Sequence, residues 1–271
     1  MKNSTQIHAY QARKHALTGI YNAASGHPGG SLSIADILSV LYFEKMNIDP
    51  ENPKMADRDR FVLSKGHCAP VLYGILAERG YFPTEHCATF RQASSNLQGH
   101  PDMKGVPGVD MSSGSLGLGI STACGMALSG KIYNKDYRVY SVLGDGEIAE
   151  GQVWEAAMFA AHYKLDNLCA FVDFNGLQID GAITDVMNST PIDEKFKAFG
   201  WNVIVIDGHD FNQIEKAVEE AKATKGQPTM VVCKTTKGKG VSFMENQAGW
   251  HGKAPNAEEY EKAVAELKAQ L

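Results

Sequence analysis

The chain lacks any apolar run long enough to cross a membrane, and its opening, MKNSTQIHAYQARKHAL, lacks the apolar centre of a secretion signal. A soluble, cytoplasmic protein is the expectation. Charge of either sign is scarcely in excess: 26 Lys and Arg stand against 31 Asp and Glu, for a net charge of -5. No basic field is present to hold nucleic acid. Cysteine is sparse and unpatterned. Cys68, Cys87, Cys124, Cys169 and Cys233 are odd in number, far apart and without CxxC or Cys/His spacing, which argues against a zinc site or a redox pair and leaves reduced, buried thiols. Repeats, low-complexity tracts and linkers are also missing. With 271 residues, 44% of them hydrophobic, the chain can bury one full core, and a single domain over residues 1–271 is expected.

What is present is an alternation of periods. Residues 5–24 read as a helix, followed by the loop SGHPGG and a second helix, SLSIADILSVLYFEKM, whose Ile34, Ile37, Leu38 and Leu41 fall on one face. RFVLS is a short strand candidate, APVLYGILAERG a helix, and TEHCATFRQ a shorter one. Residues 117–133, rich in small and apolar side chains, read as a helix buried on most sides. Four apolar, β-rich runs follow, RVYSVLG, NLCAFVDF, WNVIVIDG and TMVVCKT, separated by helical patterns at 152–163, 193–199 and 211–224. The tail NAEEYEKAVAELKAQL is a final amphipathic helix. Continuous apolar strands joined by helices indicate a three-layer α/β/α fold with a mainly parallel central sheet.

In that layout the segment GDGEIAEG lies at the carboxyl end of one strand and NG at the end of the next. Open parallel sheets bind ligands at that edge. Gly144 and Gly146 allow close backbone approach by a bulky anion, and the helix beginning near Gln152 directs its first N–H groups toward phosphate. Asp145 offers an anionic oxygen and Asn175 a neutral one, a pair that suits Mg2+ when phosphate oxygens complete the octahedron. Either fragment alone is merely a tight turn after a strand; together, with a helix and a strand between them, they point to a magnesium diphosphate. Four of the nine histidines, His27, His67, His100 and His251, sit beside glycine or proline in loops, where imidazole can exchange protons with sugar hydroxyls near neutral pH. His8, His15, His86, His162 and His209 read as surface residues, His209 less clearly because it lies in DGHD at a strand end.

GDG followed about thirty residues later by NG resembles the thiamine diphosphate signature. SGHPGG, DRDRFVLSKGHCAP, QGHPD and GWHG are further similar to the amino-terminal domain of transketolase, a likeness running from about residue 10 to 255. The resemblance implies that Asp145, Asn175 and the backbone carbonyl of Leu177 hold Mg2+. It also implies that Gly114, Leu116, Gly144 and Gly146 cradle the cofactor, with His67 and His100 against the diphosphate or the sugar. His27 and His251 would contact substrate hydroxyls, and Glu150 would belong to a network joining paired active sites; a favourable charge near a helix amino terminus is the plainer reading of Glu150. MSSGSLGLG departs from the family pattern at Ser115 and Leu118, where single-chain relatives have Pro and Gln.

Single-chain transketolases continue into a pyrimidine-binding domain and a third domain, whereas this sequence stops at Leu271. The family's glutamate for the aminopyrimidine therefore has no counterpart here. The expectation is an amino-terminal subunit that transfers a two-carbon ketol unit between sugar phosphates only with a carboxyl-terminal subunit, as a heterotetramer. Three other readings stay open: half of a different thiamine enzyme, such as a 1-deoxyxylulose 5-phosphate synthase or a transketolase for a branched or sulfonated sugar; a non-catalytic thiamine diphosphate carrier; and a nucleotide-binding module. The last rests on GMALSGKI, residues 125–132, which nearly spells a phosphate-binding loop but has Ile132 where a hydroxyl is needed and a helical pattern throughout.

Overall fold

A computed structural model describes residues 4–270. Strands β1 (Arg60–Leu63), β2 (Val139–Gly144) and β3 (Leu168–Phe174) run parallel; a short antiparallel hairpin, β4 (Leu177–Gln178) and β5 (Gly181–Ala182), follows; β6 (Asn202–Asp207) and β7 (Thr229–Lys234) complete the main sheet. The order is β1-β2-β3-β7-β6, all parallel. From β3 the chain crosses to the far edge before returning to fill the gap, so the winding direction reverses between β3 and β7. Ligands in open α/β sheets bind outside the carboxyl ends at such a reversal.

Alternation along the strands divides the core in two. Phe61, Leu63, Tyr140, Val142, Cys169, Phe171, Val231 and Cys233 face one side, and Val62, Val139, Leu143, Leu168, Ala170, Val172, Met230 and Val232 the other. Both sets are apolar because both faces are covered. On the first side lie α1 (Ser4–Ala23), α2 (Pro28–Ser33), α3 (Ala35–Val40) and α4 (Ala69–Arg79); on the second α5 (Leu118–Ile132) and α6 (Gly151–His162). The short α7 (Ile183–Val186) follows the hairpin, α8 (Ile192–Ala198) joins the second side, α9 (Phe211–Ala223) the first, and α10 (Ala257–Ala269) closes against α1. The architecture is thus three-layered, as the sequence pattern implies. Among the described residues no helix is long and apolar enough to cross a membrane, and all five cysteines are buried and free.

Three local expectations are corrected. The helix anticipated over residues 31–46 begins earlier, at Pro28, inside the stretch read as a loop, because proline is preorganised for a first helical position. It then breaks at Ile34 and closes in a π-helical turn, Leu41–Lys45. Polar anchors on each side of the break account for it: Ser33 is drawn to Asp173 and Asp36 to Arg13. The segment TEHCATFRQ is a 3-10 turn over Thr84–Thr89, not an α-helix. The β4–β5 hairpin is too short to leave a period in the sequence.

The contact between α1 and α4 is made backbone to backbone. A Cβ at Gly74 would stand 2.8 Å from the Ala12 carbonyl oxygen and 3.0 Å from its Cα, whereas one at Gly125 on α5 would meet nothing within 4 Å. Gly74→Val should therefore cost roughly 1–3 kcal/mol through overpacking, while Gly125→Ala should stabilise by about 0.5–1 kcal/mol through helix propensity. Denaturant titration of the two variants checks the pair; equal midpoints would remove the close-packing argument.

Candidate active site

The carboxyl ends of β1, β2, β3 and β7 deliver their loops to one cleft of about 480 Å3. All twelve residues singled out from the sequence line it: His27, His67, His100, Gly114, Leu116, Gly144, Asp145, Gly146, Glu150, Asn175, Leu177 and His251. Lys65, Glu147, Asp173, Gln178, Ile179 and Lys237 line it as well.

At its floor, Lys65 follows β1 and reaches past the end of β2 to Asp173 on β3, with Nζ 2.6 Å from Oδ2, both groups buried. Lys65 also donates to the Gly30 carbonyl at 2.9 Å. Asp173 accepts from Ser33 Oγ at 2.6 Å, from Asn175 Nδ2 at 2.9 Å and from the Thr235 hydroxyl. Because Asp173 takes the amide nitrogen of Asn175, the Oδ1 atom is turned the other way, where it accepts from the Leu177 N–H at 3.1 Å. Asp145 accepts from the Gly146 and Gly176 N–H groups at 2.8 and 2.6 Å, tying the GDG turn to the NG turn. Lys237, in the loop after β7, donates to the Leu177 carbonyl at 2.9 Å and lies 3.0 Å from His251 Nδ1. The donating ammonium makes that nitrogen an acceptor and places the imidazole proton on Nε2.

Three imidazoles cluster over this floor, His27, His67 and His251, with ring centroids 5.1–5.4 Å apart. His27 Nδ1 is buried without a hydrogen-bond partner among the described residues. His100 is exposed on the rim, its ring against Gly114, where an added Cβ would lie 3.2 Å from Cδ2. At Gly146 an added Cβ would meet Gln178 at 3.1 Å, so bare backbone faces the cleft on both sides.

Residues 4–270 match the family "Transketolase, thiamine diphosphate binding domain". The chain belongs to that family. It is 46% identical over 265 residues to the 6-deoxy-6-sulfo-D-fructose transketolase subunit SqwG of Clostridium sp. (strain MSTE9), covering 98% of this chain and 96% of that one. With one of the subunits of the apulose-4-phosphate transketolase of Phocaeicola vulgatus it shares 41% over 266 residues, 98% and 94% of the two chains. Human transketolase is 44% identical over 252 residues, but these are 92% of this chain and only 40% of that enzyme. In structure, the transketolase from Leishmania mexicana superposes with a TM-score of 0.92 at 34% identity, over 100% of this chain and 41% of that one.

The transketolase-family cleft suits thiamine diphosphate and its metal. An anion finds two buried ammonium groups, bare glycine backbone and an unpartnered imidazole nitrogen; a hard cation finds a carboxylate, an amide oxygen and a backbone carbonyl on adjacent turns. Sequence reasoning missed Lys65, Asp173, Lys237 and Glu147. Lys65, Asp173 and Glu147 lie within two residues of ones it did select, in SKGH, VDFNG and GDGE, and Lys237 lies in TTKGKG, which holds none; a lysine or acid in a loop reads as surface until the fold buries it. Glu147, not Glu150, is the buried glutamate of the GDG segment. It accepts from Ser64 Oγ at 2.5 Å, Gly117 N–H at 2.9 Å and Gly144 N–H at 3.0 Å, clamping three loops. Glu150 is exposed at the start of α6, and a 3-10 turn, Glu147–Ala149, separates that helix from the glycines. The segment GMALSGKI lies wholly within α5, so no phosphate loop forms there. Nor are His8 and His15 bare surface residues, since both bond Glu78, at 3.1 and 2.9 Å.

Burial, reinforced by Arg91, His100 and Lys237, lowers His27 to about 4. Burial and then Lys237 lower His251 to about 3, and burial with Lys65 holds His67 well below its ordinary value. All three imidazoles are therefore neutral near pH 7. Asp145 is pushed up to about 6 by burial and then by Asp173, and burial raises Glu147; these acids oppose the histidines in the pH dependence of stability. Between about pH 6.5 and the folded values, unfolded histidines bind more protons than folded ones, so their contribution is present above 6.5 and lost on acidification. The expected result is that His27→Asn combined with His251→Asn loses less stability than the wild type between about pH 7.5 and pH 5. Denaturant midpoints at the two pH values test it, and an unchanged difference would contradict neutral histidines.

Proposed function

We propose that this chain is the amino-terminal subunit of a two-chain, cytoplasmic transketolase, which transfers a two-carbon ketol unit from a ketose phosphate to an aldose phosphate. The observation that carries the reading is one of coverage. Relatives matched over 94% and 96% of their own length are named as subunits, whereas a single-chain transketolase is matched over 40% of its length. Asp145, Asn175 and the Leu177 carbonyl hold Mg2+, while Lys65, Lys237 and the backbone of Gly114, Leu116, Gly144 and Gly146 receive the diphosphate. Bound there, thiamine diphosphate supplies the carbon nucleophile. Neutral His27 and His251 accept and return protons at substrate hydroxyls, and His251 presents Nε2–H because Lys237 takes its other nitrogen. His67 and His100 lie against the diphosphate or the sugar.

The partner is a carboxyl-terminal subunit carrying the pyrimidine-binding domain, assembled two by two with this chain into a heterotetramer. Exposed apolar side chains on two neighbouring helices support such an assembly: Leu118, Ile132 and Tyr133 on or just after α5 and Met158, Phe159 and Tyr163 on or just after α6 are 37–70% exposed. Both helices start from cleft loops, so a chain docked on them reaches the cleft as well. Exposed apolar patches of this kind mark interaction surfaces. A sulfonated or otherwise unusual sugar is a second reading of the substrate, favoured by the names of the two subunit relatives.

Asp145→Asn should weaken Mg2+-dependent thiamine diphosphate binding at least about tenfold while leaving thermal unfolding of the apo protein unchanged or raised, since a raised acid is replaced by an amide. Calorimetric titration with and without Mg2+ measures this, and equal affinity would remove Asp145 from the metal site.

Isolation from native cells with Mg2+ and thiamine diphosphate should yield a stoichiometric second chain of about 300 residues. Met158→Asp should release that chain without altering stability by more than about 0.5 kcal/mol. Mass spectrometry and size-exclusion chromatography read both, and a wild-type chain that comes out alone, still holding cofactor, overturns the two-subunit reading.

A further inference from the structure

His209, in the DGHD turn after β6, belongs to none of the roles above, yet it is the centre of a buried hydrogen-bonded chain. Its Nδ1 lies 2.8 Å from Asp36 Oδ2, and its Nε2 accepts the Thr236 backbone N–H at 2.9 Å. An amide N–H can only donate, so Nε2 carries no proton and Nδ1–H donates to Asp36. Asp36 is in turn held by both terminal nitrogens of Arg13, at 2.8 and 2.7 Å, and Arg13 Nε donates to the Leu32 carbonyl at 3.0 Å. Arg13 and Asp36 are almost wholly buried, and the His209 side chain is 14% exposed.

The far end of this chain of bonds is one residue from Lys237. Thr235 is fixed by its N–H to the Phe174 carbonyl, at 3.1 Å, and by its hydroxyl to Asp173; Gly238 N–H reaches the Gly29 carbonyl at 2.9 Å. Between these anchors the Thr236 amide has the His209 nitrogen as its acceptor. We propose that His209 is a positioning residue: locked in the Nδ1–H tautomer by Asp36 and Arg13, it holds the Thr236 amide and so aims Lys237 at the Leu177 carbonyl and His251. Its consequence for the cofactor rests on the thiamine diphosphate reading; the geometry itself does not.

The test compares His209→Gln, whose amide can accept from Thr236 and donate to Asp36, with His209→Phe, which fills the space and does neither. Amide hydrogen exchange of residues 235–238 in the cofactor-free chain reads the geometry. Protection of the Thr236 amide should fall at least about tenfold in the Phe variant and be restored in the Gln variant. Thiamine diphosphate affinity with Mg2+ should follow the same order. Protection that survives His209→Phe overturns the proposal. Protection lost with cofactor affinity unchanged overturns its second half, the aiming of Lys237, and leaves the cofactor site standing, since Asp145→Asn tests that separately. Should the Phe variant not fold, the nitrogen-15 spectrum of His209 in the wild type decides at about pH 8, where an ordinary imidazole is neutral: a proton on Nε2 contradicts the locked tautomer.

Discussion

The buried pair of Lys65 and Asp173 is the constraint around which the cleft is arranged. Taking both charges out of water costs several kcal/mol per ion, and attraction repays that only when the remaining donors and acceptors are satisfied. Here they come from four segments: Gly30 and Ser33 on α2, Lys65 after β1, Asp173 and Asn175 at the end of β3, and Thr235 after β7. Burial opposes charge on both groups, but on Lys65 it is outweighed by Asp173 together with Cys68 and Asp145, and on Asp173 by Lys65 together with Ser33 and Thr235. The lysine passes over the glycine that ends β2, its Cδ 3.7 Å from where a Gly144 Cβ would stand, which is ordinary van der Waals contact. One ion pair thus fixes the ends of three strands and the orientation of Asn175.

Charge in the cleft is graded from this floor upward. Lys65 and Lys237 repel each other, and Lys237 is lowered by burial and then by Lys65. The same two lysines help keep His67 and His251 neutral. An ion-paired Lys65 and the Lys237 ammonium beneath neutral imidazoles separate two tasks, since binding an anion takes charge and exchanging protons takes groups that can carry either state. Replacing one of these lysines would alter the histidines as well as the anion site.

The layers and strands were legible because strands buried on both faces leave continuous apolar runs, as RVYSVLG and NLCAFVDF do. The cleft was legible because glycine and proline mark loops, and SGHP, SKGH, GHP and GWHG put histidine in each. What stayed hidden was polarity that becomes structural only on burial. Nothing in VDFNG says that Asp173 accepts from four side chains, and nothing in DGHD says that Asp36, some 170 residues earlier, waits for His209. Periodicity also could not foresee the break at Ile34, since Ile34, Ile37, Leu38 and Leu41 keep the helical spacing through it. The break follows from where Ser33 and Asp36 find their partners, which is a property of the assembled sheet.

That dependence on distant partners also explains how rigidity is distributed around the cleft. Glu147, Asp173 and Lys237 each bond at least two other segments, Asp145 bonds its own turn and the NG turn, and all four are buried. Glu150, Ile179 and His100, on the rim, are exposed. Groups that would hold a diphosphate gain from being fixed in advance, because ordering them at the moment of binding would subtract from affinity. The boundary between the two kinds of residue runs through the GDG segment itself, between Glu147, which clamps three loops, and Glu150, three residues on, which faces outward.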